Sequence, residues 1–403
     1  MSAGGGVGLA SRVRNLEISP TVAMAQRAQA LQAQGVRVYN FTVGEPDQPT
    51  PDVIVAAACE ALKAGRTKYA PAAGLAELRV AVAERYRQDW GTSFAPEQVT
   101  VTVGAKQALA QLYTAILDRG GEVVVPTPHW PTFAEAARIA GGRPVLLPLT
   151  GKNGYRLTAR AVSRAIGPRT RAVLVNSPNN PTGAVVESEE LVRIARLARR
   201  RGIFMILDDT YAHLIFRKEA APALDAVAAA AGDRLAVAGT MSKAYCMTGW
   251  RVGWVIGSRA VAAACAALNS HSIQSPATFA QIAAARALRG SQKAVRDLAA
   301  EYRRRMIAVQ PRVDALPGVL CPESEGGFYL FPNVESRLSK ELPDTVALSL
   351  RLLEEQGVAV VPGEGFGAPG HFRLSLATSV EDLREGTRRI ADFFSGDPAR
   401  GRR

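Results

Sequence analysis

The sequence predicts an α/β protein in which a mostly parallel sheet of seven strands with flanking helices is followed by a smaller α+β domain. Three observations lead to this prediction. The chain has 403 residues, more than one ordinary domain of roughly 150 residues holds. Through its middle, short apolar runs alternate with amphipathic stretches of helical length, which is typical of βαβ units around a parallel sheet. After about residue 300 a long charged helix and short strand-like pieces replace that alternation.

Seven apolar runs are the predicted strands of the main sheet. In order they are VTVTV at 99–103, EVVVP at 122–126, PVLLPL at 144–149, RAVLVN at 171–176, IFMIL at 203–207, RLAVAG at 234–239 and VGWVIG at 252–257. Helical patterns fall between most of them, for instance at 107–121 and 189–202, and each of these two ends at a glycine or just before one.

The predicted smaller domain begins with a charged helix at 295–316 and continues with strand-like pieces at 328–332, 358–362 and 372–377. By pattern alone, the helix at 21–35 and the strand-like run at 36–43 fit either domain. We expect a disordered N-terminus at 1–11, a segment packing with the small domain at 12–48, a large domain at 49–299 and a small domain at 300–403.

Composition excludes several classes of protein. Apolar residues make up 47% of the chain and charged residues 21%, which is ordinary for a globular protein and unlike fibrous or disordered ones. No apolar run approaches the roughly 18 residues of a membrane span, and the start of the chain lacks the apolar stretch of a signal peptide. The cysteines and histidines are scattered without ligand spacing, so we expect no disulfide framework, no metal site and a reducing cytoplasm.

The net charge of +13 comes mostly from arginine. The arginine runs at 199–201 and 303–305 lie in helical patterns, which favours solvated helix faces over a nucleic-acid surface. A basic surface also attracts small anionic substrates. We therefore expect small molecules as partners, and neither nucleic acid nor membrane.

Polar residues follow four of the predicted strands. In an open α/β sheet, ligands bind outside the carboxyl ends of the strands, so these residues share one rim. The helix start after the first strand offers free backbone N–H groups to an anion such as phosphate. Along the chain, the rim residues are Gly104, Ala105 and Lys106, the loop SPNNPTG at 177–183, Asp208 and Tyr211, and Thr240, Ser242 and Lys243.

Each of these residues has an ordinary structural explanation when taken singly, since Asn180 suits a turn, Asp208 a helix cap and a lone lysine the solvent. Together they supply what pyridoxal phosphate (PLP) chemistry needs, namely a lysine for a Schiff base, an acid for the pyridine nitrogen and phosphate ligands. A nicotinamide site fits poorly, because the glycine-rich run at 363–370 leads into a strand and not into a helix. The sequence has no P-loop.

Four segments resemble, in order and spacing, the signature segments of class I and II aminotransferases, which are PLP enzymes of fold type I. They are SPNNPTG at 177–183, DDTYAHLIF at 208–216, SKAYCMTGWRVGW at 242–254 and FRLSLATS at 372–379. The runs at 42–51, 68–79 and 101–113 fit as well. More narrowly, the chain resembles the bacterial aspartate aminotransferase subgroup that includes prephenate aminotransferases.

The resemblance implies catalytic roles around the cofactor ring. Lys243 would form the Schiff base and then move the proton between the substrate α-carbon and the cofactor. Asp208 would pair with the pyridine N–H, which keeps the ring protonated and able to accept electrons. Tyr211 and Asn180 would hydrogen-bond the phenolic oxygen of the ring, and Trp130 would stack on its face.

The resemblance also implies how phosphate and substrate are held. Arg251, the Thr240 hydroxyl and the backbone amides of Gly104 and Ala105 would bind the phosphate, next to Lys106. Tyr69 resembles a tyrosine that reaches the phosphate from the neighbouring subunit, which implies a homodimer with shared active sites. Arg373 would bind the substrate α-carboxylate as a bidentate fork, helped by Asn180 and the backbone of Gly44.

The implied reaction is transfer of an amino group between an L-amino acid and a 2-oxo acid. Lys106 and Ser19 match residues of aspartate-preferring relatives and favour a dicarboxylic donor, and Trp130 would also contact the substrate. Glu17 stands where many relatives have a basic residue, and Ile273 and Gln274 replace small hydroxyl residues, which leaves room for a basic or unusual amino acid.

Two functions other than transamination are compatible with parts of this sequence. The same cofactor supports elimination, replacement or oxidation, and the fold does not distinguish these from transamination. Some transcription regulators carry an aminotransferase-like sensor domain behind a DNA-binding domain. The sequence before Ser19 has no room for such a domain, so we do not expect a regulator.

Overall fold

The computed structural model describes residue 10, residues 20–216 and residues 223–396. The predictions for Glu17 and Ser19, and for the N-terminus at 1–11 apart from residue 10, lie outside these described residues.

The helices of the described chain, numbered in order, are α1 (Pro20–Ala33), α2 (Asp52–Lys63), α3 (Ala76–Trp90), α4 (Gly104–Ile116), α5 (Thr132–Ile139), α6 (Ala159–Ala165), α7 (Ser188–Arg201), α8 (Leu224–Ala231), α9 (Arg259–Ser270), α10 (Thr278–Arg289), α11 (Lys293–Asp314), α12 (Thr345–Gln356) and α13 (Val380–Ser395). The strands are β1 (Tyr39–Asn40), β2 (Val99–Thr102), β3 (Glu122–Thr127), β4 (Arg143–Pro148), β5 (Thr170–Asn176), β6 (Phe204–Asp208), β7 (Leu235–Thr240), β8 (Gly253–Ile256), β9 (Tyr329–Leu330), β10 (Val358–Ala359), β11 (Val361–Pro362) and β12 (Phe372–Ser375).

The central sheet has seven strands in the order β2-β8-β7-β6-β5-β3-β4. Neighbours from β7 through β4 are parallel, whereas β8 runs antiparallel to both β2 and β7. All seven correspond to the apolar runs identified in the sequence. The predicted α/β class with a mostly parallel, helix-flanked sheet is confirmed.

Apart from the partly exposed edge strand β4, the strands of the central sheet are mostly apolar because helices cover both faces of the sheet. Successive side chains of a strand point to opposite faces. Along β5, Val173 and Val175 belong to the core layer on one face, while Ala172 and Leu174 belong to the layer on the other. This double burial leaves the carboxyl ends of the strands as the natural place for polar groups.

The C-terminal part forms a smaller α+β unit. An antiparallel sheet in the order β11-β12-β9 lies beside α11, α12 and α13, and β1 pairs in parallel with β10. Met24 and Ala28 of α1 share an apolar cluster with Leu353 and Ala359, so the N-terminal segment contacts this unit. The boundary expected between residues 299 and 300 falls inside α11, and the domain limits remain a prediction.

The small-domain strands are shorter than the apolar runs that predicted them. The run at 36–43 contributes only the two residues of β1, and the run at 358–362 divides into β10 and β11 at Val360. After β1 the chain leaves its sheet, and residues 42–50 make hydrogen bonds with distant side chains, described below. No helix in the described ranges is long and apolar enough to cross a membrane.

Candidate active site

A cleft of about 320 Å³, open to solvent at its mouth, lies at the carboxyl ends of β5, β6 and β7. The structure brings most of the predicted site residues into its wall. They are Gly44, Ala105, Lys106, Trp130, Asn180, Asp208, Tyr211, Thr240, Lys243, Arg251 and Arg373. Its remaining wall residues are Thr132, Phe133, Asn176, Thr210, Ser242 and Tyr329.

Lys243 reaches the cleft from the turn that follows β7. Its Nζ donates a hydrogen bond to the Gly44 carbonyl at 2.6 Å. Burial lowers the pKa of Lys243 to about 8. The carboxylates of Glu45 and Asp208 oppose this shift, whereas the cations of Arg373 and Arg251 add to it. An amine with this pKa is partly neutral near physiological pH, so it can act as a nucleophile.

Asp208 is the last residue of β6 and is buried. Its Oδ1 accepts a hydrogen bond from the Thr210 backbone N–H at 3.0 Å. Burial raises the pKa of Asp208 to about 6, against the opposing effects of the Thr210 hydrogen bonds and the Lys243 charge. A buried carboxylate of this kind is stabilised by a cationic partner such as a protonated ring nitrogen.

Arg373 on β12 is 2% exposed, so its charge needs partners. Its Nη1 donates to Asn180 Oδ1 at 3.1 Å and its Nη2 to the Thr42 carbonyl at 2.9 Å. The guanidinium carbon lies 4.3 Å from the centre of the Tyr329 ring. Arg373 Nε is buried and has no hydrogen-bond partner among the described residues. A buried, incompletely paired guanidinium suits the binding of a carboxylate.

Tyr329 is a site residue that the sequence analysis missed. Its hydroxyl lies 3.1 Å from that of Tyr211, and burial raises the pKa of both phenols. Tyr329 lies in a short apolar strand-like run, where an aromatic residue is ordinarily explained as core. No local signal distinguished it, because its role depends on contacts with residues far away in the sequence.

Arg251 and the start of α4 form a corner suited to an anion. Arg251 Nη1 donates to the Thr248 carbonyl at 2.7 Å and Nη2 to the Val103 carbonyl at 3.2 Å. Gly104 begins α4 with a φ of +73°, and a Cβ at this position would lie 2.7 Å from Arg251 Nη2. The free N–H groups of a helix start and a guanidinium together bind phosphate well.

Two hydroxyl groups complete this corner. Thr240 Oγ1 donates to the Val252 carbonyl at 3.0 Å and lies 2.9 Å from Ser242 Oγ. Thr240 would have to give up its bond to the Val252 carbonyl to donate its single proton to a phosphate, and Ser242, for which no role was predicted, is a second hydroxyl that can donate to a ligand. Both side chains line the cleft.

Lys106 and Trp130 lie together in the cleft wall. Lys106 Nζ is 5.0 Å from the centre of the Trp130 ring, within the range of a cation–π contact. Burial lowers the pKa of Lys106, and the nearby charge of Arg251 adds a smaller effect in the same direction. Lys106 thus adds a cation to the cleft wall that is separate from both Arg373 and Arg251.

Tyr69 does not line the cleft of its own chain and is 88% exposed. Its loop is held by the Thr278 hydroxyl, which donates to the Lys68 carbonyl at 2.6 Å. Ile273 and Gln274 precede Thr278 and are also outside the cleft wall. The structure therefore fixes the backbone next to Tyr69 to Thr278, at the start of α10, and leaves Tyr69, Ile273 and Gln274 outside the wall of the cleft that holds Lys243.

The arrangement fits PLP. A nucleophilic amine, a buried carboxylate and an anion corner face one cleft, and Gly104 lies so close to Arg251 that a Cβ there would displace the guanidinium from the anion corner. These are the groups that the aldehyde, ring nitrogen and phosphate of PLP require. In the described ranges, no group of three or more histidine, cysteine, aspartate or glutamate side chains could hold a metal ion.

Comparison with known proteins agrees with this chemistry. The family model for aminotransferase class I and II matches residues 36–390. The probable aspartate/prephenate aminotransferase of Aquifex aeolicus (strain VF5) is 43% identical over 387 residues, covering 95% of this chain and 98% of that protein. The aspartate aminotransferase of Streptomyces avermitilis is 42% identical and covers 96% of each chain.

Solved structures give the same result. The aspartate aminotransferase from Thermus thermophilus with maleate has a TM-score of 0.89 at 42% identity and covers 96% of this chain and 99% of that one. The aspartate aminotransferase from Rhizobium meliloti has a TM-score of 0.92 at 34% identity and covers 97% of this chain and 99% of that one. Because both the family match and the relatives span nearly the whole sequence, this chain belongs to the aminotransferase class I and II family and is a PLP-dependent aminotransferase of fold type I.

Proposed function

We propose that this aminotransferase takes the amino group of aspartate or a similar dicarboxylic L-amino acid and transfers it to a 2-oxo acid. The observation that carries the proposal is the placement of two cations, Arg373 and Lys106, in the same cleft as Lys243. Each cation can bind one carboxylate of a dicarboxylic substrate. The names of the Aquifex and Streptomyces relatives, and the maleate in the Thermus structure, support a dicarboxylic substrate.

The proposed roles follow from the contacts of each residue. PLP, when bound, supplies an electron sink for the bond that breaks at the substrate α-carbon. Lys243 Nζ attaches the cofactor and later takes the proton from the α-carbon, which its lowered pKa permits. Asp208 holds the proton on the ring nitrogen by its negative charge, and the Tyr211 hydroxyl donates to the phenolic oxygen of the ring.

The other cleft residues bind and orient. Arg373 receives the α-carboxylate, with Asn180 Oδ1 and the Thr42 carbonyl fixing the guanidinium plane. Arg251, Ser242, Thr240 and the start of α4 receive the phosphate. Trp130 covers the ring and excludes water, and Lys106 beside it receives the distal carboxylate of the substrate.

The test combines spectroscopy with the substitution Lys243→Ala. Purified wild-type enzyme with PLP should change its visible absorbance when aspartate is added, and it should release one equivalent of the matching 2-oxo acid. Lys243→Ala should lose turnover by at least about a thousandfold, because it removes both the attachment point and the proton carrier. Lys63→Ala, at an exposed position on α2, is the matched control and should behave as wild type.

A parallel set of donors tests the substrate class. Aspartate and glutamate should react faster than aromatic or basic amino acids. A preference for a basic donor would contradict the dicarboxylic proposal but leave transamination intact. Release of ammonia without formation of the pyridoxamine form would show elimination, and a fully active Lys243→Ala enzyme would remove Lys243 from the mechanism.

We further propose that the enzyme acts as a homodimer in a reducing cytoplasm. The exposed phenol of Tyr69, held on a fixed loop, supports a role in a partner's site, where it would reach the phosphate. All four cysteines are free, which supports a reducing compartment.

A further inference from the structure

Residues 42–50 form an irregular segment between β1 and α2, here called the strap, that is hydrogen-bonded to the turn carrying Lys243. The Gly44 carbonyl accepts the hydrogen bond from Lys243 Nζ at 2.6 Å. Next to it, Glu45 Oε2 accepts from the Thr248 hydroxyl at 2.6 Å. At the end of the strap, the Thr50 hydroxyl donates to the Cys246 carbonyl at 2.5 Å and accepts from Trp250 Nε1 at 3.0 Å.

Two residues of the strap, Thr42 before these contacts and Asp47 between them, are bound to the smaller unit. The Thr42 carbonyl accepts from Arg373 Nη2 at 2.9 Å. Asp47 forms a bidentate ion pair with Arg305 of α11, with Oδ1 accepting from Nη1 at 2.8 Å and Oδ2 from Nη2 at 2.9 Å. The Tyr302 hydroxyl also donates to Asp47 Oδ1, at 3.2 Å. Contacts to the two parts of the molecule therefore alternate along the strap.

Arg305 is itself fixed in place. It is 5% exposed, its Nε donates to Glu301 Oε1 at 2.8 Å, and its Nη1 also donates to the Leu376 carbonyl at 3.0 Å. Leu376 follows directly after β12, which carries Arg373. One guanidinium thus joins α11, the chain after β12 and the strap, and a bidentate fork of this kind holds its partner in a defined orientation.

We propose that Asp47 is a positioning residue that, through Arg305, holds the strap so that its carbonyl groups meet Lys243 and Arg373. The two carbonyls, of Thr42 and Gly44, lie two residues apart, and Asp47 is the nearest anchor on their C-terminal side that reaches α11. If this anchor is lost, Arg373 loses a fixed acceptor, and its guanidinium is less well oriented for a carboxylate. This inference rests on the proposed roles of Lys243 and Arg373.

The hydrogen bond from Lys243 Nζ to the Gly44 carbonyl of the strap also affects the pKa of Lys243. A carbonyl that accepts a hydrogen bond from Lys243 stabilises the ammonium form, so a displaced Gly44 carbonyl lowers the pKa of Lys243 further. The neutral fraction of the amine then rises at a given pH. The expected result of losing Asp47 is therefore weaker carboxylate binding together with a shift of the Lys243 titration to lower pH.

Asp47→Asn is the primary test, because it keeps the side-chain size and removes the charge. We expect the dissociation constant of maleate from the PLP-loaded enzyme, measured by calorimetry, to rise about tenfold. The pH profile of the rate at which apoenzyme captures PLP should shift to lower pH. In turnover, KM for aspartate should rise by a larger factor than kcat falls.

Glu301→Gln is the matched control, since it removes a carboxylate from the same Arg305 but does not touch the strap. It should change the maleate dissociation constant less than twofold. Arg305→Lys is the second variant, to be used if Asp47→Asn does not fold, because it keeps the charge but loses the bidentate fork. We expect it to weaken maleate binding in the same way. Equal effects of Asp47→Asn and Glu301→Gln on maleate binding would overturn the proposal.

The same measurements separate this inference from the proposed function. If wild-type enzyme neither captures PLP through Lys243 nor binds maleate, the proposed function fails before the strap is tested. The other outcome is that wild-type enzyme captures PLP and binds maleate, and that Asp47→Asn matches it in both measurements. In that case only the positioning role of Asp47 fails, and the same holds for Arg305→Lys if it is used in place of Asp47→Asn.

Discussion

Asp209, next to Asp208, is buried outside the cleft wall and accepts a hydrogen bond from the Tyr86 hydroxyl. Trp254 Nε1 donates in turn to the Tyr86 oxygen at 3.0 Å, so the single proton of Tyr86 is directed at Asp209. Burial raises the pKa of Asp209 to about 8; the Tyr86 hydrogen bond opposes the shift and the charge of Asp208 adds to it. Two adjacent carboxyl groups therefore have different environments, one lining the cleft and one inside the protein.

This environment predicts how stability depends on pH. Because the folded pKa of Asp209 lies above the unfolded value of about 4, the folded protein keeps a proton that the unfolded chain releases. The resulting stabilisation is present in full below about pH 4 and is lost as the pH rises towards 8, with a slope of at most about 1.4 kcal/mol per pH unit. Asp209→Asn keeps the acceptor for Tyr86 but cannot ionise, so its stability relative to wild type should increase from pH 5 to pH 8.

Urea denaturation at fixed protein and PLP concentrations measures this difference. Asp233→Asn, at an exposed position, is the control. Its free energy of unfolding should change with pH in the same way as that of wild type over this range. If the free energies of unfolding of Asp209→Asn and wild type changed in parallel with pH, Asp209 would be ionised in the folded protein throughout this range.

At the scale of elements, the start of α4 tests the anion corner. Gly104→Ala would bring a Cβ to 2.7 Å from Arg251 Nη2 and force the guanidinium away from the helix N-terminus. We expect the dissociation constant of PLP to rise by about tenfold or more, since a charge-assisted contact is displaced.

Gly120→Ala provides the matched control for this change. Gly120 also has a positive φ, of +79°, but a Cβ there would meet nothing within 4 Å among the described residues. Both variants therefore carry similar backbone strain, and only Gly104→Ala should weaken PLP binding. If both weakened it equally, the clash with Arg251 would not be the cause.

The elements also show what the sequence could and could not predict. Six strands of the main sheet were predictable because each is a mostly apolar run buried on both faces, and the partly exposed edge strand β4 was predictable because its run is apolar as well. The two-residue strand β1 and the strap were not, since Thr50 and Asp47 find their partners in residues 246–250 and 302–305. Tyr329 was missed for the same reason, because only the folded chain brings it to Tyr211 and Arg373.

At the scale of the whole molecule, the loop that carries Tyr69 is part of a buried polar network. Asn269 Nδ2 donates to the Ala72 carbonyl at 2.8 Å and to the Val101 carbonyl at 2.9 Å, and its Oδ1 accepts from Gln111 of α4 at 2.6 Å. Since α4 begins at the anion corner, the helix proposed to bind the phosphate in one cleft is linked to the loop proposed to serve the other. A fixed loop of this kind presents an exposed phenol with little loss of entropy on association.

Hybrid dimers test whether Tyr69 acts in the partner's site. Lys243→Ala and Tyr69→Ala subunits should each form inactive or nearly inactive homodimers. In a mixed dimer, the site with an intact Lys243 would receive Tyr69 from the other subunit, so one of its two sites is complete. Random association of equal amounts should restore activity to about a quarter of all sites.

The contrary arrangement predicts a different result. If Tyr69 served the Lys243 of its own chain, both sites of every mixed dimer would lack one residue, and coexpression would restore nothing. Sedimentation of each variant must show the same dimer as wild type, so that absent recovery is not mistaken for failed assembly. A monomeric wild-type enzyme with full activity would exclude shared sites altogether, whereas recovery near one quarter requires that Tyr69 cross between subunits, because no arrangement within one chain completes a site.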